Sequence, residues 1–285
     1  MSTPTTLVLP EGVEMSYGYG LDGDIAMLSI KARGVRKGHV LLIPGWTGSK
    51  EDFIPILPLL ADAGYDADAY DQAGQYQSDP SPDYSLEHFA SNALRLSTIE
   101  GGQSHILGHS FGGLVAQQAA LLDPAQVASL NLLDTGPGAL GDLPNRPLTA
   151  LADAIGTVPL DQIHEFREQG AVRPPEIADF LLKRFTSNDP ASLKAMTLLL
   201  LDAPDIIDDV AKLNLPFWVG RGADDDAWPH DIQAEMAVRL GTEIHVIADS
   251  AHSPAVENPA GLMAAWLPFL NDHSLDQHHE RPEVH

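Results

Sequence analysis

Residues 104–122, Ser-His-Ile-Leu-Gly-His-Ser-Phe-Gly-Gly-Leu-Val-Ala-Gln-Gln-Ala-Ala-Leu-Leu, constrain the fold more than any other stretch of the chain. A short apolar strand runs into Gly108-His109-Ser110-Phe111-Gly112, and an alanine-rich helical run follows at once. A turn from strand to helix this tight forces its central serine into a strained backbone conformation. It also leaves no room for a Cβ two positions to either side, where Gly108 and Gly112 stand. Ser110 is thereby presented at a strand end, above a helix amino terminus that favours developing negative charge. A G-x-S-x-G nucleophile turn requires this context. A glycine-rich turn that merely holds a serine is the blander account, and the flanking strand and helix speak against it.

The rest of the chain supplies the same grammar. Residues 5–9, 13–19 and 25–32 read as strands of an antiparallel meander, with turns at Glu11-Gly12 and Asp22-Gly23. From residue 38, strands and helices alternate: a strand at 40–43, a helix from about 49 to 63, a strand at 66–70, a helix at 85–98, the serine turn, and a strand at 127–133. Residues 140–212 then read almost wholly helical, broken at Gly156, Gly170, Pro174-Pro175 and Asn188-Asp189-Pro190. Alternation resumes with a strand at 217–219, a helix at 230–240, a strand at 243–248 and a helix at 255–270. This predicts an α/β fold with a mostly parallel sheet flanked by helices, and an inserted helical lid. The expected division is a core of 1–136 and 213–272, a lid of 137–212, and a disordered tail of 273–285. That tail holds His273, His278, His279 and His285 with nothing apolar to anchor it, so disorder is favoured over a metal site.

A serine hydroxyl needs a base, and the base needs an acid that fixes its tautomer. In a doubly wound sheet these groups converge from loops at the carboxyl ends of strands. After the strand at 217–219 comes Asp224-Asp225-Asp226-Ala227-Trp228-Pro229, which leaves three acids to choose from. Asp225 is favoured because it lies four residues before the proline that opens the next helix; Asp134, which also ends a strand, is a rival. The base is expected to be His252, which directly follows the last strand and precedes Pro254. His88, His164 and His230 fall on helices or at their starts, and His105 and His245 in strands, so each reads as a satisfied surface histidine. Oxyanion donors are expected from the amides of Phe111 and Trp46. The Trp46 indole either walls a pocket or packs in the core.

Composition narrows the partners. With 40 acids against 16 bases, a net charge of −24 repels phosphate backbones and anionic membrane surfaces, so no nucleic-acid partner is expected. Lys31, Arg33, Arg36 and Lys37 surround Gly34 and read as a solvated turn. The absence of cysteine excludes disulfides and thiolate chemistry. No long apolar run suggests a membrane span, and no secretory signal is visible, which makes a cytoplasmic location the expectation. Neither metal nor other cofactor is called for, and oligomeric state is not readable.

Taken together, Gly108-His109-Ser110-Phe111-Gly112, the loop Gly45-Trp46-Thr47-Gly48-Ser49-Lys50-Glu51-Asp52-Phe53, the order serine–acid–histidine and His252-Ser253-Pro254 resemble the α/β-hydrolase fold family from about residue 13 to 270. The resemblance implies an eight-stranded, mostly parallel sheet with the lid after strand 6. It also implies Ser110 as nucleophile, His252 as base, Asp225 as acid, and Trp46 and Phe111 as oxyanion donors. Three departures stand out: Pro44 where members often carry histidine, Asp71-Gln72-Ala73-Gly74-Gln75 where they often carry Asp-x-Arg-Gly-x-Gly, and Ala251 where glycine often precedes the histidine. The missing arginine puts the bracing of that loop in question. The expected reaction is hydrolysis of a carboxylic ester of a small, uncharged or weakly polar molecule through an acyl-enzyme. Carbon–carbon bond, amide or peptide hydrolysis, acyl transfer, and a non-catalytic ligand-binding role are the alternatives. The apolar run at 196–201 reads chiefly as lid packing, with an acyl-facing wall as the other reading.

Overall fold

Strands buried on both faces feed two cores at once, and the computed structural model, which describes residues 2–97, 102–142 and 147–275, shows this directly. In β3 (Gly38–Ile43), Leu41 and Ile43 point into one core while Val40 and Leu42 point into the other. β5 (Ser104–His109) and β6 (Val127–Leu133) split their side chains in the same way. Such period-2 division of a continuous apolar run is what a parallel sheet covered on both faces demands. The described strands form one eight-stranded sheet, ordered β1-β2-β4-β3-β5-β6-β7-β8, with β1 (Glu14–Tyr19), β2 (Asp24–Ile30), β4 (Tyr65–Tyr70), β7 (Phe217–Gly222) and β8 (Ile244–Ile247). β1 and β2 pair antiparallel, as do β2 and β4; every other pairing is parallel.

One core lies under α2 (Leu86–Ser97), α3 (Phe111–Leu122) and α9 (His230–Arg239). The other lies under α1 (Leu57–Asp62) and α11 (Pro259–Asp272). On α11, Leu262, Met263, Trp266 and Leu270 form the buried stripe, each contributing roughly 1.5–3 kcal/mol by burial. The Trp266 indole N–H donates to Asn131 Oδ1 at 2.8 Å, so this wide ring enters the core without an orphaned donor. Between β6 and β7 come α4 (Leu148–Ala154), α5 (Leu160–Arg167), α6 (Pro175–Thr186), α7 (Pro190–Asp202) and α8 (Ile207–Val210). The first four are separated at the expected Gly156, Gly170 to Pro175 and Asn188 to Pro190, and a further break that was not expected, around Pro204, sets off α8. α10 (Pro254–Glu257) follows β8.

Residues 5–9 are not a strand. The segment lies between Pro4 and Pro10, neither of which has an amide to give a ladder, and it runs instead along the inserted helices. Leu7 packs with Ile177 and Phe180 of α6, Thr3 Oγ1 accepts from Arg173 at 3.0 Å, and the Ser2 carbonyl accepts from Arg184 at 2.6 Å. The expected helix at 49–63 is a 3-10 turn (Lys50–Phe53) followed by α1. At the other end, Leu275 N donates to Lys37 O at 2.8 Å, and residues 276–285 of the expected disordered tail lie outside the described residues. No described helix is long and apolar enough to cross a membrane.

Candidate active site

The carboxyl ends of β5, β6, β7 and β8 meet at one place, and the chain between them carries the candidate residues. Ser110 has φ 55° and ψ −121°, the strained conformation that the tight turn requires. A Cβ on Gly108 would fall on the Gly112 carbonyl, and one on Gly112 on the Ile43 carbonyl, so neither position admits another residue without displacing backbone. The turn is stitched to its neighbours: Ser110 N donates to Leu133 O at 3.0 Å, and Asp134 N donates to Gly220 O at 3.0 Å.

His252, in the loop after β8, lies between two partners. Its Nε2 is 2.9 Å from Ser110 Oγ and its Nδ1 is 2.8 Å from Asp225 Oδ1. Asp225 is the buried one of the three adjacent acids; Asp224 and Asp226 are exposed. Asp225 Oδ1 also accepts from Ala227 N at 2.9 Å, and its Oδ2 accepts from Gln233 Nε2 at 2.7 Å. Burial alone would push this carboxyl up. The hydrogen bond and charge of His252, with the Ala227 amide and Gln233, outweigh it and hold Asp225 well below the usual carboxylate range. Asp134 sits beside the pair, fully buried, with Oδ1 accepting from Gly222 N at 2.8 Å; it does not bond to His252. Donor atoms of Asp134, Asp225 and His252 lie within 4.8 Å of one another. Since His252 spends both ring nitrogens and Asp225 both oxygens on protein partners, the group reads as a hydrogen-bonded network and not a cation site.

The loop after β3 closes the other side. Thr47 has φ 60°, Gly48 N donates to Gly45 O at 3.0 Å, and a Cβ on Gly45 would come within 2.9 Å of the Ser110 Cβ. Among the described residues, no hydrogen bond within the protein uses the amide of Trp46 or of Phe111. The Trp46 indole serves both of its expected purposes: it lines the cavity and packs against the core, and it carries the Arg167 guanidinium 4.6 Å above its ring.

Several supporting residues give no sequence motif. His109 lines the cavity, and its Nε2–H donates to the His252 carbonyl at 2.5 Å. Burial, then the adjacent His252, pushes His109 down to about 4, which keeps it neutral near pH 7. Glu257 Oε2 accepts from Ala251 N at 2.7 Å and Ser253 N at 3.1 Å, holding the loop in which alanine replaces glycine. The bracing left open by the missing arginine is supplied by Lys50. Its fully buried ammonium lies 2.7 Å from Asp71 Oδ2, 2.6 Å from Gln77 Oε1 and 3.0 Å from Glu51 Oε1, one acceptor for each N–H. Arg184 of α6 donates to Asp52 at 2.8 Å and ties the inserted helices to the same loop. The charge complementarity across these pairs is the only sequence signal that could have found them. Two histidines expected at the surface, His105 and His164, are buried, and His105 bonds Ser129 Oγ at 2.8 Å.

Above Ser110 opens a cavity of about 790 Å³. Its floor is Gly45, Trp46, His109, Ser110 and His252, and its walls are mainly apolar side chains of α4, α5 and α7, among them Leu148, Leu151, Ile163 and Leu200. Of the run at 196–201, Leu200 alone reaches the cavity; Met196 is fully buried and Leu198 is half exposed.

The chain belongs to the alpha/beta hydrolase family, whose sequence model matches residues 40–266. Among known sequences it is similar to the "Putative carbamate hydrolase RutD" of Variovorax paradoxus (strain S110), 29% identical over 244 residues that cover 81% of this chain and 91% of that protein. Among solved structures it resembles a thermophilic esterase from Thermogutta terrifontis (TM-score 0.71, 22% identity, 92% of this chain and 100% of that one). It also resembles the N-acyl homoserine lactonase AidH (TM-score 0.75, 21% identity, 93% and 99%). At these identities the structural likeness is one of fold.

Proposed function

We propose that the protein is a serine hydrolase that cleaves carboxylic esters. Ser110 is the nucleophile, His252 the general base and then the general acid, and Asp225 the acid that orients and charge-balances His252. The observation that carries this reading is the continuous relay Ser110 Oγ–His252–Asp225 at 2.9 and 2.8 Å, opening onto a cavity. Attack of Oγ on the ester carbonyl moves its proton to His252 Nε2 and puts negative charge on the carbonyl oxygen. The amides of Trp46 and Phe111 are the donors assigned to that oxygen. Collapse expels the alcohol with the proton from His252, leaving an acyl-Ser110; water activated by His252 then releases the acid.

The helices over residues 137–212 act as the lid on a core of 1–136 and 213–272. Their apolar walls suit a hydrophobic acyl or alcohol group, since buried polar atoms there would go unpaired. A carbamate is the second substrate reading, favoured by the similarity to a relative of that name over most of both chains.

A fluorophosphonate probe followed by peptide mapping tests the assignment. Label on the peptide bearing Ser110, lost in His252→Ala, is expected; label elsewhere, or none, would refute it. A panel of p-nitrophenyl esters and carbamates then ranks the substrates.

A further inference from the structure

We propose that Asp134 is a positioning residue for the reaction: its carboxyl O–H donates to the Asp225 carboxylate and so holds the acid, and through it His252, in line with Ser110. The inference rests on the Ser110–His252–Asp225 reading above. Asp134 Oδ2 is buried and accepts from no N–H or O–H donor among the described residues, and oxygens of the Asp134 and Asp225 carboxyl groups lie within 4.8 Å of each other. Two carboxyl groups can hydrogen-bond to each other only if one of them carries a proton, and an unpartnered buried oxygen this near a carboxylate is where that proton would serve.

The surroundings decide which. Asp225 receives hydrogen bonds from His252, the Ala227 amide and Gln233. Asp134 receives one, from the Gly222 amide, is sealed from solvent, and has no cation paired with it among the described residues. The carboxylate therefore belongs on Asp225 and the acid proton on Asp134. The remaining titratable groups facing the pair do not reverse this: His252 is bonded to Asp225, His230 Nε2 contacts the Asp225 carbonyl at 2.8 Å, His109 is neutral, and Glu257 adds a negative charge that disfavours a second carboxylate. In agreement, burial, and next the charge of Asp225, push Asp134 well above the usual carboxylate range.

Backbone geometry makes the test clean. Asp134 has φ 48°, a left-handed conformation that asparagine tolerates and β-branched residues do not. In Asp134→Asn, the side-chain carbonyl can accept from Gly222 N while the amide N–H₂ donates to Asp225, reproducing a neutral carboxyl atom for atom. Asp134→Asn should fold, keep kcat within about threefold, and leave the acid limb of kcat/KM in place. Asp134→Ala loses the donor and should lower kcat by on the order of tenfold or more with KM little changed.

Three results would overturn the proposal. If Asp134 were ionised, Asp134→Asn would remove a charge about 5 Å from the relay and move the acid limb down by about one pH unit or more. If Asp134→Asn fell as far as Asp225→Asn, Asp134 would itself be the charged acid. If Asp134→Ala matched wild type, it would position nothing. An infrared difference spectrum of wild type minus Asp134→Asn near pH 7 decides protonation without activity. A protonated-carboxyl C=O band present only in wild type supports the proposal, and a carboxylate doublet there sinks it. The fluorophosphonate label on Ser110 separately reports whether the underlying relay reading holds.

Discussion

Asp225→Asn should be less damaging than the removal of a triad acid usually is, because this site can rotate an amide to receive it. Asparagine offers one acceptor and one donor where aspartate offers two acceptors. Were its N–H₂ to face His252, the imidazole would be forced into the wrong tautomer, with a proton on Nε2 and no basic nitrogen toward Ser110, a loss of about 10⁴ in turnover. Here His252 and the Ala227 amide both donate to the same oxygen, Oδ1, and Gln233 donates to the other. Gln233 Oε1 is buried without a hydrogen-bond partner, so turning the Gln233 amide over would let it accept from the new N–H₂. The tautomer then survives and only the charge is lost. A carboxylate and an imidazolium about 4 Å apart at an effective dielectric of 20 interact by about 4 kcal/mol, or about three decades in rate. The expected loss in kcat for p-nitrophenyl ester hydrolysis is accordingly close to 10³-fold, with the Ser110 label retained. Gln233→Glu on this background returns a negative charge one side chain further out, where the same arithmetic at about 7 Å gives roughly 2 kcal/mol, so it should restore at least tenfold. Asp225→Asn within threefold of wild type would show that Asp225 is not the acid. A loss as complete as that of Ser110→Ala, with no rescue by Gln233→Glu, would refute the amide rotation.

Replacing Ser110 or His252 by alanine should cut kcat by on the order of 10⁴–10⁶ without changing the unfolding midpoint by more than a few degrees, read by ester turnover beside circular dichroism. Lys50→Met strands the buried Asp71 charge and should cost about 3–5 kcal/mol in urea unfolding, part of which Asp71→Leu on the same chain recovers. Stability should fall between pH 6.5 and 4. His109 is held neutral in the fold, from an ordinary 6.5 down to about 4, so across that window the unfolded chain binds a proton that the native chain refuses. The slope is about 1.4 kcal/mol per pH unit for this group, and His105, pushed down to about 3 mainly by burial, adds its own. His105→Gln should flatten the profile measured by denaturant titration at each pH; an unchanged slope would contradict its buried neutral state.

What the sequence disclosed follows from where its information is local. The Gly-His-Ser-Phe-Gly turn, the proline at 229 and the proline at 254 are short-range signals, and most elements around them begin within a residue or two of expectation, although the strand at 217–219 extends to Gly222 and the helix at 255–270 is divided into α10 and α11 at Asn258. The misreadings come where the outcome depends on distant contacts. Residues 5–9, Thr-Thr-Leu-Val-Leu, have the composition of a strand, yet their partner is α6, and nothing within the segment encodes that. Lys50 replaces the expected arginine from a different loop, 21 positions away from Asp71, so no spacing rule could pair them. Asp134 was legible as a residue at a strand end; its closeness to Asp225, which lies one strand and five helices further along the chain, was not.

A second set of the same three residue types shows why types and contacts alone do not make a reactive serine. His39 Nδ1 lies 2.7 Å from Ser104 Oγ, and its Nε2 lies 2.9 Å from Asp68 Oδ2, all three buried. This network joins the starting ends of β3 and β5 to the middle of β4, away from the loops in which ligands of such sheets bind. Ser104 Oγ donates its own proton to the Ser97 carbonyl at 2.6 Å. The ring nitrogen facing it must then donate, and a nitrogen that donates to a hydroxyl cannot take a proton from it. Ser110 has no such commitment, stands in a strained turn and borders the cavity, none of which is true of Ser104. Ser104→Ala should therefore leave turnover and fluorophosphonate labelling intact while costing about 1–3 kcal/mol for the unpaired groups it strands. Loss of labelling in a folded Ser104→Ala protein would mean that proton commitment and cavity access do not separate the two networks, and the assignment of Ser110 would lose its physical basis.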